Sequence, residues 1–310
     1  MNPKLYALNA GMGDSFFLEI DSGASRAVVL IDGGEKFWHE RASPVRFAEE
    51  KGWRRIDLLI LTHLHPDHIV GLLPVAETLH VAAAVLPYPP HRLHLPPMRH
   101  PKAEQAAEVF RMYQRLWELL KSQRTAISLR PPFGEVCVWW FGETRLRHLD
   151  PTKEIHLRAY ERMKALAADD RMPDEDRERL LREFDALSNG DSSVWVLEHG
   201  DEAEPLVAFG ADALLANWDR ILEKEPLRPR GLKASHHGHP DALDASLLAR
   251  LSPEWTIVTC DAERYAQHRD EWDRLARASG SAFVVTGARP NTLYLQCELP
   301  QKPEAVELES

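Results

Sequence analysis

Thr62-His-Leu-His-Pro-Asp-His68 packs three imidazoles and a carboxylate into a few residues directly after an apolar run. Neutral imidazole nitrogen and carboxylate oxygen are the usual ligands of borderline divalent ions such as zinc or manganese. Alternate side chains of an extended turn can converge on two adjacent ions, so His63, His65, Asp67 and His68 read as metal ligands rather than polar turn residues. Two ions of this kind lower the pKa of a water held between them, which makes hydrolysis possible near neutral pH without a side-chain nucleophile. Asp67 would orient or deprotonate that water, with His68 beside it in the catalytic set.

Two further stretches carry weaker signals. Gly11-Met-Gly-Asp-Ser15 sets glycines beside a carboxylate, so backbone amides could approach an anionic substrate while Asp14 orients a ligand; a tight turn explains the glycines equally well. Lys233 is a candidate for stabilising a phosphate oxyanion, against the plainer reading of a solvated lysine at a strand end.

These residues need elements to hold them. Short β-branched or aromatic runs predict strands at 4–9, 16–20, 27–31 and 56–61. One helix lies between the last two, with Ser43 as N-cap, Pro44 at its first position and Gly52 at its end. The stretch 56–62 is nearly continuous apolar sequence, as in a strand covered on both faces, and it delivers His63 at its C-terminal end. Strands return at 193–198, 206–209, 231–235, 255–260, 282–286 and 292–296, interleaved with helices near 212–224, 240–251 and 268–279.

Between the halves, 87–101 holds six prolines with His91, His94 and His100, followed by helical patterns at about 101–124, 153–168 and 173–188. Residues 87–188 therefore read as a helical cap inserted into a hydrolase domain over 1–297, packed down by Trp117, Trp139 and Trp140. The Pro-rich loop reads as a rigid lid rather than another metal site, His148 as an ordinary strand residue, and 298–310 as an acidic flexible tail.

Composition excludes some classes. At 44% hydrophobic and 28% charged residues the chain is globular, and no apolar run is long enough for a membrane span. No secretory signal is visible at the start, which places the protein in the cytoplasm. Three cysteines at wide spacing, Cys137, Cys260 and Cys297, fit buried free thiols rather than a disulfide framework. The net charge of -10 argues against a surface basic all over, as a protein coating nucleic acid would have.

The His-x-His-x-Asp-His motif resembles the signature of the metallo-β-lactamase superfamily. Asn9-Ala-Gly-Met-Gly-Asp-Ser15, Leu30-Ile-Asp-Gly-Gly34, Asn189-Gly-Asp-Ser-Ser-Val194, Ala208-Phe-Gly-Ala-Asp212 and Lys233-Ala-Ser-His-His-Gly238 narrow the resemblance to the nuclease-like domain of ComEC-type DNA-uptake proteins. The resemblance implies an α/β fold, a four-layer αββα sandwich with the metals at one edge. It places His63 and His65 on the first metal, Asp67 and His68 on the second, and Asp212 between them. One histidine of the pair His236 and His237 completes the second site, with His237, next to Gly238, slightly preferred; Asp212 as a mere helix cap is the plainer alternative. The histidine that typical zinc lactamases add in a Gly-His-x-x-Gly setting is missing. Asp191 stands in that region, either as an oxygen ligand or in an Asx turn before a strand. Oxygen in place of nitrogen favours harder ions, so manganese and magnesium stand beside zinc.

The expected function is a metal-dependent phosphodiesterase or nuclease acting on a phosphodiester or nucleic-acid substrate. Hydrolysis of a small ester, lactone or amide is the alternative enzyme. A protein-interaction module whose cap meets a protein partner is the alternative of another class. Where the uptake nucleases have a Tyr-Gly-His-Pro-like stretch this chain has Tyr265-Ala-Gln-His-Arg269, so His268 either replaces that contact or opens the next helix.

Overall fold

A computed structural model describes residues 2–308 apart from 22, 24, 25, 38, 136, 170, 201 and 202. One sheet is built from β1 (Lys4–Leu8), β2 (Phe16–Asp21), β3 (Arg26–Ile31), β5 (Leu58–Ile60), β7 (Ala83–Leu86), β8 (Ala126–Leu129), β16 (Thr292–Glu298) and β17 (Glu304–Glu307). Its order is β17-β16-β1-β2-β3-β5-β7-β8. The other contains β9 (Val138–Phe141), β10 (Thr144–Asp150), β11 (Val194–His199), β12 (Glu204–Phe209), β13 (Gly231–Lys233), β14 (Trp255–Val258) and β15 (Ala282–Val285), in the order β15-β14-β13-β12-β11-β10-β9. A small parallel pair, β4 (Arg55–Ile56) and β6 (His80–Val81), stands apart.

Period-two alternation sorts the side chains into layers. On β1, Leu5 and Ala7 join Phe16, Leu18, Trp195, Phe209 and Trp255 between the sheets. Tyr6 and Leu8 face the opposite way, into a core shared with α1 (Pro44–Glu50), α3 (Leu72–Thr78) and α4 (Pro101–Ser122). The outer face of the second sheet, with Val196 and Ala208, is covered by α7 (Leu215–Lys224), α8 (Ala245–Leu251) and α9 (Ala262–Ser279) through Trp218, Leu248 and Trp272. The result is the αββα sandwich.

Local chemistry sets α1 as expected. Pro44 occupies its first position and Gly52, just beyond its end, has φ of 73°. Its buried face centres on Phe47, whose ring lies 5.2 Å from Tyr6 and 5.7 Å from Trp53. Emptying that position to alanine would cost about 3–5 kcal/mol.

The middle segment departs from the expectation. Its helices form, as α4, α5 (Arg158–Ala168) and α6 (Asp174–Leu187), but they are not an inserted cap. α4 is the crossover between parallel β7 and β8, and its face of Ala103, Ala107, Phe110, Tyr113 and Leu116 belongs to the main helix–sheet core. The β9–β10 hairpin extends the second sheet through β11. A parallel partner lies a whole crossover away in sequence, so nothing local to Ala126-Ile-Ser-Leu129 announces it.

The expected flexible tail is corrected too. Glu304–Glu307 form β17, antiparallel to β16, where backbone pairing does not depend on apolar side chains and edge charges are common. Residues 309 and 310 lie outside the described residues. Trp117 and Trp139 pack against the cores, whereas Trp140 is 61% exposed beneath the Arg145 guanidinium and holds nothing down. His268 sits inside α9 rather than opening it.

Candidate active site

Parallel strands put their C-terminal ends on one edge, where ligands bind in open α/β sheets. β3 and β5 run parallel in one sheet, and β12, β13 and β14 in the other. Their ends carry Asp32, His63, Asp212, the 235–238 turn and Thr259 onto a common edge. The loop after β5 enters α2 (Pro66–Ile69), which brings His68 round to face His63, ring centroids 4.2 Å apart. Gly13 lets the β1–β2 loop close on this turn: a Cβ there would meet the Asp67 carbonyl at 2.4 Å.

Four imidazoles are each fixed in one tautomer by a partner outside the centre. The Thr62 hydroxyl donates to Asp32 Oδ2 at 2.7 Å and so accepts from His63 Nδ1 at 3.1 Å, leaving the His63 Nε2 lone pair free. His68 Nδ1 donates directly to Asp32 Oδ2 at 2.8 Å. The Thr259 hydroxyl donates to Asp14 Oδ1 at 2.6 Å and accepts from His237 Nδ1 at 2.9 Å. His65 Nε2 donates to the Asp185 carbonyl at 3.0 Å, so its Nδ1 faces His63 Nε2 at 3.2 Å. Carboxylate or hydroxyl support of this kind orients ligating histidines.

The freed nitrogens meet two carboxylates. His68 Nε2 lies 3.4 Å from Asp212 Oδ1 and His237 Nε2 lies 3.1 Å from Asp67 Oδ2, while His63 Nε2 lies 3.8 Å from Asp212 Oδ2. The donors form two groups, His63, His65 and Asp212, and Asp67, His68, Asp212 and His237, with Asp212 in both. His68 Nε2 and Asp212 Oδ1 are buried with no hydrogen-bond partner. Buried polar atoms are rarely left so.

The charges are strongly coupled. Burial would disfavour the His68 cation, but Asp212, Asp67 and Asp32 together hold its pKa well above the usual imidazole value. Burial likewise opposes the Asp67 carboxylate, yet His68 and His237 bring it down to about 2. For His63, burial and the neighbouring His68 push the pKa well down, which keeps the ring neutral and able to donate its lone pair. Only His65 and Asp67 are appreciably open to solvent, at 16% and 21% of their side chains.

The structure thus brings together His63, His65, Asp67, His68, Asp212 and His237. It does not bring Asp191 to them: Oδ2 is taken by the Tyr88 hydroxyl at 2.9 Å and by the amides of Ala159 and Tyr160 at the start of α5. His236 points elsewhere, with Nδ1 on Asp241 at 2.9 Å. Lys233 is neither solvated nor free to meet a phosphate. It is 1% exposed, paired with Asp14, donates to the Ala211 carbonyl at 2.8 Å and lies 3.8 Å from Asp212 Oδ1. Lys233 is the last residue of β13, whose three residues are all buried, and Asp14 from the other sheet supplies its counter-charge.

Sequence reasoning missed Thr62, Asp32 and Thr259 as supports. Asp32 could have been noticed as a carboxylate at a strand end before Gly33-Gly34, in a backbone with φ of 58° that few residues adopt. Thr259 gives no local signal, since Val258-Thr-Cys260 reads as ordinary strand.

The chain is similar to known proteins in outline. The metallo-β-lactamase superfamily model matches residues 8–136. None of the curated proteins matches. A mutant of the CmlA β-hydroxylase superposes with a TM-score of 0.51 at 14% identity, over 96% of this chain and 54% of that one, so this chain spans about half its length. A diphosphatase of the PhnP family gives 0.45 at 14% identity over 96% and 98% of the two chains. A subclass B3 metallo-β-lactamase from a soil metagenome library gives 0.36 at 12% identity over 90% and 87%. Among the described residues no helix is long and apolar enough to cross a membrane. The segment that matches the metallo-β-lactamase superfamily model contains His63, His65, Asp67 and His68 of the histidine–aspartate edge, and the paired sheets with outer helices are consistent with that superfamily's αββα sandwich.

Proposed function

We propose that the chain is a metal-dependent phosphodiesterase acting on nucleic acid, with divalent ions held by His63, His65, Asp67, His68, Asp212 and His237. The observation that carries this reading is the convergence of four imidazole nitrogens, each ring held through its other nitrogen, on two carboxylates, with His68 Nε2 and Asp212 Oδ1 buried without a hydrogen-bond partner. Neutral nitrogen plus carboxylate oxygen suits zinc or manganese, and an unpaired buried acceptor is what such an ion would occupy. Bound there, divalent ions would supply Lewis-acid polarisation of a water and of the scissile phosphoryl group. Asp67, the more solvent-open carboxylate of the set, would accept a hydrogen bond from that water and orient it, and Thr62, Asp32, Thr259 and Asp14 hold the rings in place. Lys233 acts through Asp14 and Asp212, positioning them, rather than on substrate. The ComEC-type order of motifs supports a phosphodiester substrate over a lactone or amide. We take the middle segment as part of the same hydrolase domain, since its Asp185 carbonyl supports His65.

The test is metal analysis of purified protein followed by assays with a bis(nitrophenyl) phosphate, single-stranded and duplex DNA, and a lactone, each with zinc, manganese or magnesium. Phosphodiester cleavage that His65→Ala and Asp212→Ala both abolish is the expected result. Lactone or ester hydrolysis alone would transfer the site to the small-molecule reading, and an absence of bound metal would end both.

A further inference from the structure

The two donor groups are unequal. Asp67, His68, Asp212 and His237 offer four ligand atoms, whereas His63, His65 and Asp212 offer three, one fewer than a closed four-coordinate site would take. The wall beside the poorer position is the end of α6 and the turn 188–191 that follows. His65 Nε2 donates to the Asp185 carbonyl, the Ser188 hydroxyl to the Leu64 carbonyl at 3.3 Å, and the Ser193 amide to the Thr62 carbonyl at 3.1 Å.

That turn carries Asn189, whose carboxamide is held from one side only. Its Nδ2 lies 3.1 Å from His236 Nε2, and its Oδ1 is buried with no partner. The orientation follows from the next contact. His236 Nδ1 donates to Asp241 Oδ1 at 2.9 Å, so Nε2 is the accepting nitrogen and the amide NH2, not the oxygen, must face it. His236 adopts this pose with φ of 47°, a left-handed backbone that a non-glycine residue keeps only where its surroundings demand it. A buried carbonyl oxygen without a donor, on the wall of a position short of a donor, is an acceptor waiting for a cation.

Building on the metal-centre reading above, we propose that Asn189 Oδ1 is the remaining donor of the His63–His65–Asp212 position, and that His236, held by Asp241, is the positioning residue that turns this oxygen inward. The assignment separates the paired histidines: His237 contributes its own lone pair, and His236 acts through Asn189. It also replaces the nitrogen expected of a zinc lactamase with a neutral oxygen, which shifts that position toward manganese.

The experiment is metal binding by the full chain, stripped of metal and titrated separately with Mn2+ and Zn2+ by calorimetry, with native mass spectrometry for stoichiometry. The wild type should bind two equivalents, and Asn189→Ala should weaken one of them by about 10–100-fold while leaving the other unchanged. Asn189→Asp, which keeps an oxygen and adds charge, should tighten the same equivalent. His236→Ala should weaken that equivalent by less than Asn189→Ala does. Wild-type affinity for both equivalents in Asn189→Ala, or equal weakening of both, overturns the proposal. If Asn189→Ala does not fold, Asn189→Asp decides alone, and unchanged affinity there overturns it. A wild-type chain that binds no metal removes the underlying centre instead, a different failure.

Discussion

The two sheets hold the centre with the same device and neutralise it differently. On each side a threonine at a strand end accepts a histidine Nδ1–H and donates its own hydroxyl hydrogen to a buried aspartate: Thr62 to Asp32 within one sheet, and Thr259 of the other sheet across to Asp14 in the β1–β2 loop. Asp14 is paired with the permanent cation of Lys233, at 1% and 2% side-chain exposure. Asp32 is met by the Thr62 amide and hydroxyl and by His68, whose charge depends on its proton. Burial accordingly pushes the Asp32 pKa up, against the pull of His68. One anchor is therefore charge-balanced by the protein alone, and the other depends on the charge carried by His68.

The largest expected effect tests that asymmetry. Asp14→Asn strands the buried Lys233 ammonium and should cost about 3–5 kcal/mol in urea unfolding of the metal-free chain. Asp32→Asn, which leaves no fixed cation behind, should cost only about 1–3 kcal/mol. Equal losses would break the comparison, as would a double variant Asp14→Asn with Lys233→Met that recovers nothing.

Next in size is the shared device. Thr62→Val and Thr259→Val keep the side-chain shape but free His63 and His237 to rotate, and each should lower metal affinity by about 10–100-fold in competition with a chromophoric chelator. An unchanged affinity in either would mean that the ring is set by packing rather than by the hydroxyl.

His148 on β10 shows what a buried imidazole does with no such relay. Its Nε2 has no partner, and burial, with the Arg130 guanidinium, lowers its pKa from 6.5 to about 3. The folded pKa lies below the unfolded one, so the unfolded chain takes up the proton first as pH falls. Stability contributed by the neutral ring is complete above pH 6.5 and is lost progressively between there and about 3. At pH 5 the loss from this residue should be about 2 kcal/mol, and His148→Phe should remove that part of the pH dependence. A parallel stability–pH curve in the variant would contradict the assignment.

The smallest effect sharpens the second. Thr62→Ser and Thr259→Ser keep the hydroxyl and lose a methyl, so stability should fall by about 0.8 kcal/mol and metal affinity should stay within about threefold. A serine as damaging as the valine would show that the methyl, not the relay, positions the ring.

Much of this could be read along the chain. The strands of both halves, the limits of α1 and the cluster 63–68 are local features, set by side-chain alternation, a proline at a helix start and ligand types at close spacing. The helical stretches of the middle segment were equally legible, but their place was not. Whether α4 caps the sandwich or belongs to it depends on β8 finding β7 across the crossover, and β17 exists only because β16 offers it an edge. Tertiary structure alone chose His237 over His236, turned Asp191 toward Tyr88 and α5, and buried Lys233 against Asp14. The physical reason is common to all of them. Sequence names the donors and acceptors, but which of them satisfy each other is decided where distant segments meet, because a buried group can reach only the partners packed against it.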